Sequence, residues 1–327
     1  MLRCFNRLLL SLLSVASLVT GFAPAAQANV VVVLNSRDAT IKLLDQQTYA
    51  EVATIPVGKE PHHLMATPDN KSVIVASSVG NELIFLDPLS GKVQRTLKDV
   101  LDPYQIGFSP DQKWFVSASL RLDRLDIYQY DGANLTLSKR IPLGKLPSHM
   151  AFNKASDTVF VTRQGSDQVS AIDLNTQTVK WTVPVGKLPA GIAMTPDDKY
   201  LLVGIMGADY VEVIDWRTQK TVKRIKAGDG AHNFRSLGDK RHTFVSNRVS
   251  NTINIIDQVT LENVGTINVP GGPDCMELTK DGKTLWVTLR WIKKVAVIDV
   301  ASRKVIKLIP VGRSPHGVFF ADAAARQ

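Results

Sequence analysis

Five of the six histidines in this chain fall on two adjacent positions of a recurring frame. His62, His232 and His316 share the first position with Tyr104, Ser148, Ala190 and Asp274. His63 and His149 share the second with Gln105, Gly191, Asn233, Cys275 and Gly317. Imidazole nitrogen and carboxylate oxygen are good ligands for zinc, copper, nickel or iron. His62, His232, Asp274 and His316 are therefore the candidate metal ligands, with His63, His149 and Cys275 behind them. The same imidazoles are candidate general bases: His232, His316 or His62 could take a proton while a metal ion polarised the substrate. The competing expectation is structural, with histidines hydrogen-bonding loop backbone. No HExxH-type local spacing supports the metal reading.

Arginines cluster in a second set of segments. Arg37, Arg121, Arg163, Arg248 and Arg290 are the candidate ligand-binding residues, with Tyr104 beside them. A guanidinium fork suits carboxylate or phosphate. Arg124, Lys293 and Lys294 add charge, while Asp38, Asp123, Asp167 and Asp209 offset part of it. Trp291 and Tyr210 offer an apolar wall for an anionic ligand.

The frame that carries these residues is a repeat. PVGKEPHHL, PLGKLPSHM, PVGKLPAGI and PVGRSPHGV are variants of one string, and KDVLDPYQI, KAGDGAHNF and VPGGPDCM fit the same register. Pro61, Pro103, Pro147, Pro189, Ala231, Pro273 and Pro315 are spaced by 42, 44, 42, 42, 42 and 42 residues. Asp45, Asp87, Asp173, Asp215, Asp257 and Asp299 close a second marker with the same period, and Gln129 fills its vacant slot. A two-residue insertion therefore falls in DGANLTLSKR, between Gln129 and Pro147. Each unit reads as four short strands: HLMAT, SVIVASS, ELIFLD and VQRTL in the first, separated by turn residues. Four strands in about 42 residues predict an all-β, seven-bladed β-propeller.

The chain ends are complementary halves of one unit. VVVVLNSRDATIKLLDQQTYAEVATI supplies strands two to four without a first, and HGVFFAD supplies a first strand alone. The expected ring closure pairs the N-terminal and C-terminal strands and removes the open edges. Seven units occupy nearly all of residues 29–327, expected to be a single domain. Alternating strand direction puts the head loops (PVGK and its variants) and the loops between strands two and three on one face, the upper face. PDNK-type and DPLSGK-type turns lie on the lower face. The glycines of the heads read as turn residues tolerating positive φ.

The stretch VFVTRQGSDQVSAIDLNTQTVKWTVPVGKLPAGIAMTPDDK resembles the YVTN-repeat, or YncE-like, seven-bladed β-propeller family along the whole chain after residue 28. The resemblance implies the fold. For function it implies little, since similar propellers include exported proteins, haem carriers, lyases and lactonases. There is also a distant similarity to the haem-carrying propeller domain of cytochrome-type nitrite reductases, which has eight blades rather than seven.

Residues 1–28 carry Arg3 and Arg7, a short apolar run and a terminal Ala26-Gln27-Ala28, the pattern of a secretory signal peptide. The expected product is a periplasmic or otherwise exported, soluble protein, without a membrane span after cleavage. Removing the leader lowers the formal charge from +9 to +7 and leaves Cys275 as the sole cysteine, so no internal disulfide is expected. No CxxCH, Walker loop or GxSxG elbow is present. Few aromatics accompany the arginines, which argues against nucleic acid. The leading expectation is a non-catalytic binding or scaffold protein whose upper face holds a metal, a small anionic ligand or a periplasmic partner protein. The alternatives are a metal-assisted lyase or lactonase and a tetrapyrrole-binding protein, with a transition metal or haem as the corresponding cofactor.

Overall fold

Strands bordered on both sheet faces by other strands should be apolar throughout, and strands facing water should not. The chain follows that rule from the axis outward. In a computed structural model, residues 30–324 are described; the leader expected over residues 1–28 lies outside them. Twenty-eight strands of the described residues form seven four-stranded sheets. In the first complete sheet the second and third strands, Val73–Ser77 and Glu82–Leu86, are wholly buried, while the outer strand Val93–Lys98 is largely exposed. Charged outer strands such as Lys220–Lys226 leave edges unsuited to pairing with another chain.

The core lies between blades. Val32, Leu34, Ile41 and Leu43 of one sheet pack with Leu64, Val73, Val75, Ile84 and Leu86 of the next. Turn chemistry explains the aspartate marker. Asp87 Oδ1 accepts from the N–H groups of Leu89 and Ser90, at 3.1 and 2.7 Å, and Asp45, Asp173, Asp215 and Asp257 repeat the motif. The two-residue insertion lengthens one hairpin, Arg124–Tyr130 with Leu135–Pro142.

The head glycines divide: Gly144, Gly230, Gly271 and Gly272 have the expected positive φ, and others do not. Gly58 and Gly186 do not have positive φ. A Cβ on Gly58 would lie 1.9 Å from Glu82 Oε1, and one on Gly186 2.3 Å from the Tyr210 hydroxyl. Gly186 is needed for close approach, and its N–H donates to Glu212 Oε2 at 2.8 Å. The residue just before each head position also has positive φ, whether glycine (Gly230, Gly272) or not (Glu60, Leu146, Leu188, Ser314).

Ring closure is as expected. Val31, Val32 and Val33 pair with Phe320, Phe319 and Val318, and the closing sheet has the strand order Pro315–Phe320, Val30–Asn35, Thr40–Asp45, Glu51–Pro56. Gly312 N donates to Asn35 Oδ1 at 2.9 Å and Arg313 pairs with Asp38, which fastens the upper end. The lower end is fastened by a tail that the repeat does not announce. Ala324 N donates to Leu278 O at 2.9 Å, and buried Arg235 donates to Ala324 O at 2.6 Å and to Glu277 Oε1 at 2.7 Å. Trp286 fills the closing joint, with ring centroids 5.6 Å from Tyr49 and 6.1 Å from Phe320.

Phe320→Ala should cost about 3–5 kcal/mol, and ending the chain at Ser314 should abolish cooperative unfolding. Trp286 fluorescence during denaturant unfolding reads both. A chain ending at Ser314 that unfolds with the parent's midpoint would show that closure is dispensable.

Candidate functional site

Successive residues of a regular strand point to opposite faces, so two adjacent positions should not both serve one axis. Each inner strand departs from regularity at this point. The ladder shifts register between Pro61 and His63, Pro103 and Gln105, Pro147 and Met150, Pro189 and Ile192, Ala231 and Phe234, and Pro273 and Met276. The closing strand shows the same shift where Val33 and Asn35 meet Val318 and Pro315. A bulge re-aims side chains beside it. Here it sends the first-row residues into a buried plug across the ring, while His63, Gln105, Asn233, Cys275 and Gly317 of the second row line a channel below.

The plug brings most of the expected cluster together. Asp274 is its hub and is fully buried. Arg248 Nη2 donates to Asp274 Oδ2 at 2.6 Å, and Arg290 Nη1 lies 3.4 Å from the same oxygen. His232 Nδ1 stands 3.0 Å from Asp274 Oδ1 and His316 Nε2 3.6 Å from Oδ2. Neither imidazole approach has hydrogen-bond alignment. Both nitrogens of His232, His316 Nε2 and Asp274 Oδ1 are thus buried without a hydrogen-bond partner among the described residues.

A stack joins this hub to the far side of the ring. His316 Nδ1 is hydrogen-bonded to His62 O, and His62 Nδ1 to Tyr104 O at 2.8 Å. Acceptor carbonyls require both Nδ1 atoms to carry the proton. The His62 ring lies 3.8 Å from that of His316 and 3.7 Å from that of Tyr104, centroid to centroid. His149 meets His232 edge to face at 5.0 Å and is bonded to Ser148 Oγ at 3.1 Å. Cys275 is a free thiol at the channel floor, 3.3 Å from Asn233 Nδ2 and 3.9 Å from His316 Nδ1. Asp274, Cys275 and His316 present ligand atoms within 4.8 Å of one another. His62 faces the tyrosine stack, and His63 faces the channel.

Burial sets the charge states. It holds His62, His149 and His316 well below the usual imidazole range and lowers His232 to about 4. Burial pushes Asp274 up, but Arg248 together with the His316 and His232 rings outweighs it and keeps the carboxyl well below its ordinary value. Burial raises the Cys275 thiol beyond reach of ordinary pH, so Cys275 is neither a ready nucleophile nor a preformed thiolate ligand. The plug therefore holds two guanidiniums on one carboxylate, a disposition that opposes an added cation.

The arginine set does not converge as a whole. Only Arg248 and Arg290 reach the cluster. Arg121 pairs with Asp102 and Glu60, Arg124 with Asp126, and Arg163 lies 3.4 Å from Ser170 Oγ, packed over Gly144. Arg37 is exposed. Tyr210 supports Arg224 rather than a ligand wall, and Trp291 is 55% exposed at the surface. Sequence reasoning missed the channel itself, a cavity of about 780 Å³ whose loop residues, among them Pro110, Lys154, Pro196 and Lys240, all belong to lower-face turns. Recurrence of Phe108, Phe152 and Met194 at the last position of their inner strands was the available signal.

These features define a seven-bladed propeller closed by its last strand, plugged at one end and open at the other. The chain belongs to the YNCE-like beta-propeller family, whose pattern matches residues 6–326. No curated protein matches it in sequence. Its fold is similar to that of dihydro-heme d1 dehydrogenase NirN in complex with DHE, with TM-score 0.69 and 18% identity over 92% of this chain and 77% of that one. A functionally unknown protein from Desulfotomaculum acetoxidans DSM 771 gives 0.77 and 14% over 90% and 99%, and Kuenenia stuttgartiensis hydrazine synthase 0.66 and 17% over 79% and 88%. At these identities the likeness is one of fold.

Two outcomes follow from the plug. Histidines whose folded pKa lies below the unfolded value near 6.5 are protonated first in the unfolded chain. Their contribution to stability is complete above about pH 6.5 and declines below it, by about 1.4 kcal/mol per pH unit for each histidine. Denaturant midpoints measured from pH 8 to 4.5 should fall steeply below 6.5, and His232→Gln should flatten the slope by about one proton. A level profile would contradict neutral burial. Asp274→Asn should cost about 3–5 kcal/mol by stranding Arg248, whereas Arg290→Ala, at the rim and 3.4 Å away, should cost far less.

Proposed function

We propose that the chain is an exported, non-catalytic binding protein whose upper face docks an acidic partner protein. The leader-like residues 1–28 support export, and among the described residues no helix is long and apolar enough to cross a membrane. Residues 29–327 are read as one propeller domain. The observation that carries the docking surface is the composition of the upper loops. Val79, Leu122, Leu146, Leu188, Val249, Trp291 and Ile292 are all large, apolar and exposed there. Exposed Lys59, Lys145, Lys187, Lys293 and Arg37 stand among them. Several neighbouring acids are engaged: Asp38 with Arg313, Glu60 and Asp102 with Arg121, and Asp209 with Lys226, while exposed Asp99 and Asp229 offset part of the charge. Asp123 and Asp167 instead cap the N–H groups of Leu146 and Leu188 at 2.8 Å. Aromatic and aliphatic anchors within a rim carrying more exposed lysines than free acids suit an acidic protein surface.

This reading moves the small-ligand and metal roles off the upper face. A metal held by His62, His232, Asp274 and His316 draws support from the unpartnered imidazole nitrogens, but Arg248 and Arg290 oppose it. The enzyme alternative needs a base that meets substrate. His232 and His316 are buried in the plug, and His62 alone of the three borders the channel. The tetrapyrrole alternative draws on the likeness to NirN, and haem titration without a visible-band shift removes it.

A photo-crosslinking residue at position 291 should yield a discrete protein adduct in cells, lost when Lys293 and Lys187 are reversed to glutamate. The same probe at lower-face Val259 should yield none. Adducts from position 259 alone would reverse the assignment of faces.

A further inference from the structure

The plug leaves the rest of the axis hollow. Below it lies the cavity of about 780 Å³, within the range of sites for small molecules. Its lining mixes polar residues with an apolar belt: Phe108, Met150, Phe152, Met194, Phe234 and Met276 come from five different inner strands. Methionines and aromatics together give a surface that adapts to flat or flexible apolar bodies. The inner end is polar, with His62, Gln105, Asn233 and Cys275 at the floor.

The charge along this lining has one sign. Lys154, Arg235 and Lys240 border the cavity, and no carboxylate does. Arg235 is matched by buried Glu277 at 2.7 Å. Lys154 and Lys240 are exposed at the mouth and are unmatched. Three acids near the mouth are engaged: Asp239 with His242 at 2.6 Å, Asp197 with the Thr195 hydroxyl at 2.6 Å, and Asp198 with Arg217 at 3.1 Å through one oxygen and with the Lys154 N–H at 2.9 Å through the other. An apolar belt behind a mouth bearing two lysines without ion pairs favours a molecule with an apolar body and an anionic end.

We infer that the central channel is a binding site for a small organic acid, an apolar body carrying a carboxylate, admitted from the lower face. The apolar body lies against the methionine and aromatic walls, and the carboxylate remains at the mouth between Lys154 and Lys240. This site is separate from the upper docking face, and neither depends on the other. The tail bonds Arg235, a lining residue, through Ala324 O, and the closing strand adds Gly317 and Val318 to the lining.

Calorimetric titration with decanoate and with decan-1-ol tests the assignment on the leader-free protein. The expected result is one decanoate bound per chain, with decan-1-ol at least tenfold weaker. Lys154→Glu with Lys240→Glu should weaken decanoate at least tenfold and leave decan-1-ol unchanged. These lysines are exposed, so the double variant should fold. Ala193→Trp, which fills the barrel, should remove binding of both, and Trp291→Asp on the upper face should change neither. Equal binding of acid and alcohol would overturn the inferred charge selection. Failure of decanoate to bind, or binding unaffected by Ala193→Trp, would overturn the site itself.

Discussion

The pairing of Val31–Val33 with Val318–Phe320 brings together groups from both ends of the chain, and the plug, the channel and the closing joint all depend on it. The last strand carries His316 into the plug, where it meets His62 from the first complete blade and Asp274 from the last. One residue further, Gly317 enters the channel lining. Further still, Phe320 meets Trp286 in the joint between first and last sheets. Loop-closure entropy opposes so distant a contact, and the structure answers with redundancy. An ion pair at the upper end, a buried joint in the middle and a tail anchored to Arg235 below all oppose the same opening.

A polar plug at the axis is costly compared with an apolar one, because every buried polar atom that loses water must find a partner. Part of this plug does so. His62 and His316 hand their Nδ1 protons to backbone carbonyls, and Asp274 has Arg248. His232 does not. The neutral imidazoles keep the cost bounded, because a neutral ring is far cheaper to bury than an imidazolium. Asp274 is the carboxylate at the centre of the plug, and its two arginines arrive from loops outside the inner strands. Seven inner strands alone could not have neutralised it.

Periodicity made the architecture legible before any coordinates. A 42-residue spacing, four strand-like runs per unit and complementary ends are long-range statements that local context does not override. The rows of His62, His232, Asp274 and His316 were legible for the same reason, since equal register means equal height along the axis. What stayed hidden was local geometry. The bulge after each head residue has no residue signature of its own, yet it decides that the first row is buried and that the second row faces a cavity. The head glycines show the same limit. Their turn role was read from residue type, whereas Gly58 and Gly186 answer to side chains far along the chain, Glu82 and Tyr210. The tail contact from Ala324 to Arg235 lies outside the repeat, so no period could announce it.

The bulge also explains why one ring can carry two unlike surfaces. By turning seven side chains across the axis, it divides a through-channel into a sealed upper end and an open lower end. A molecule docked on the upper loops meets Val249, Trp291 and the lysines, and reaches no cavity. A molecule entering from below meets the apolar barrel and stops at the plug, short of the Asp274 oxygens. Blades of a propeller vary independently in their loops because each closes its own sheet. Upper loops, lower turns and inner-strand residues are therefore three separable sets.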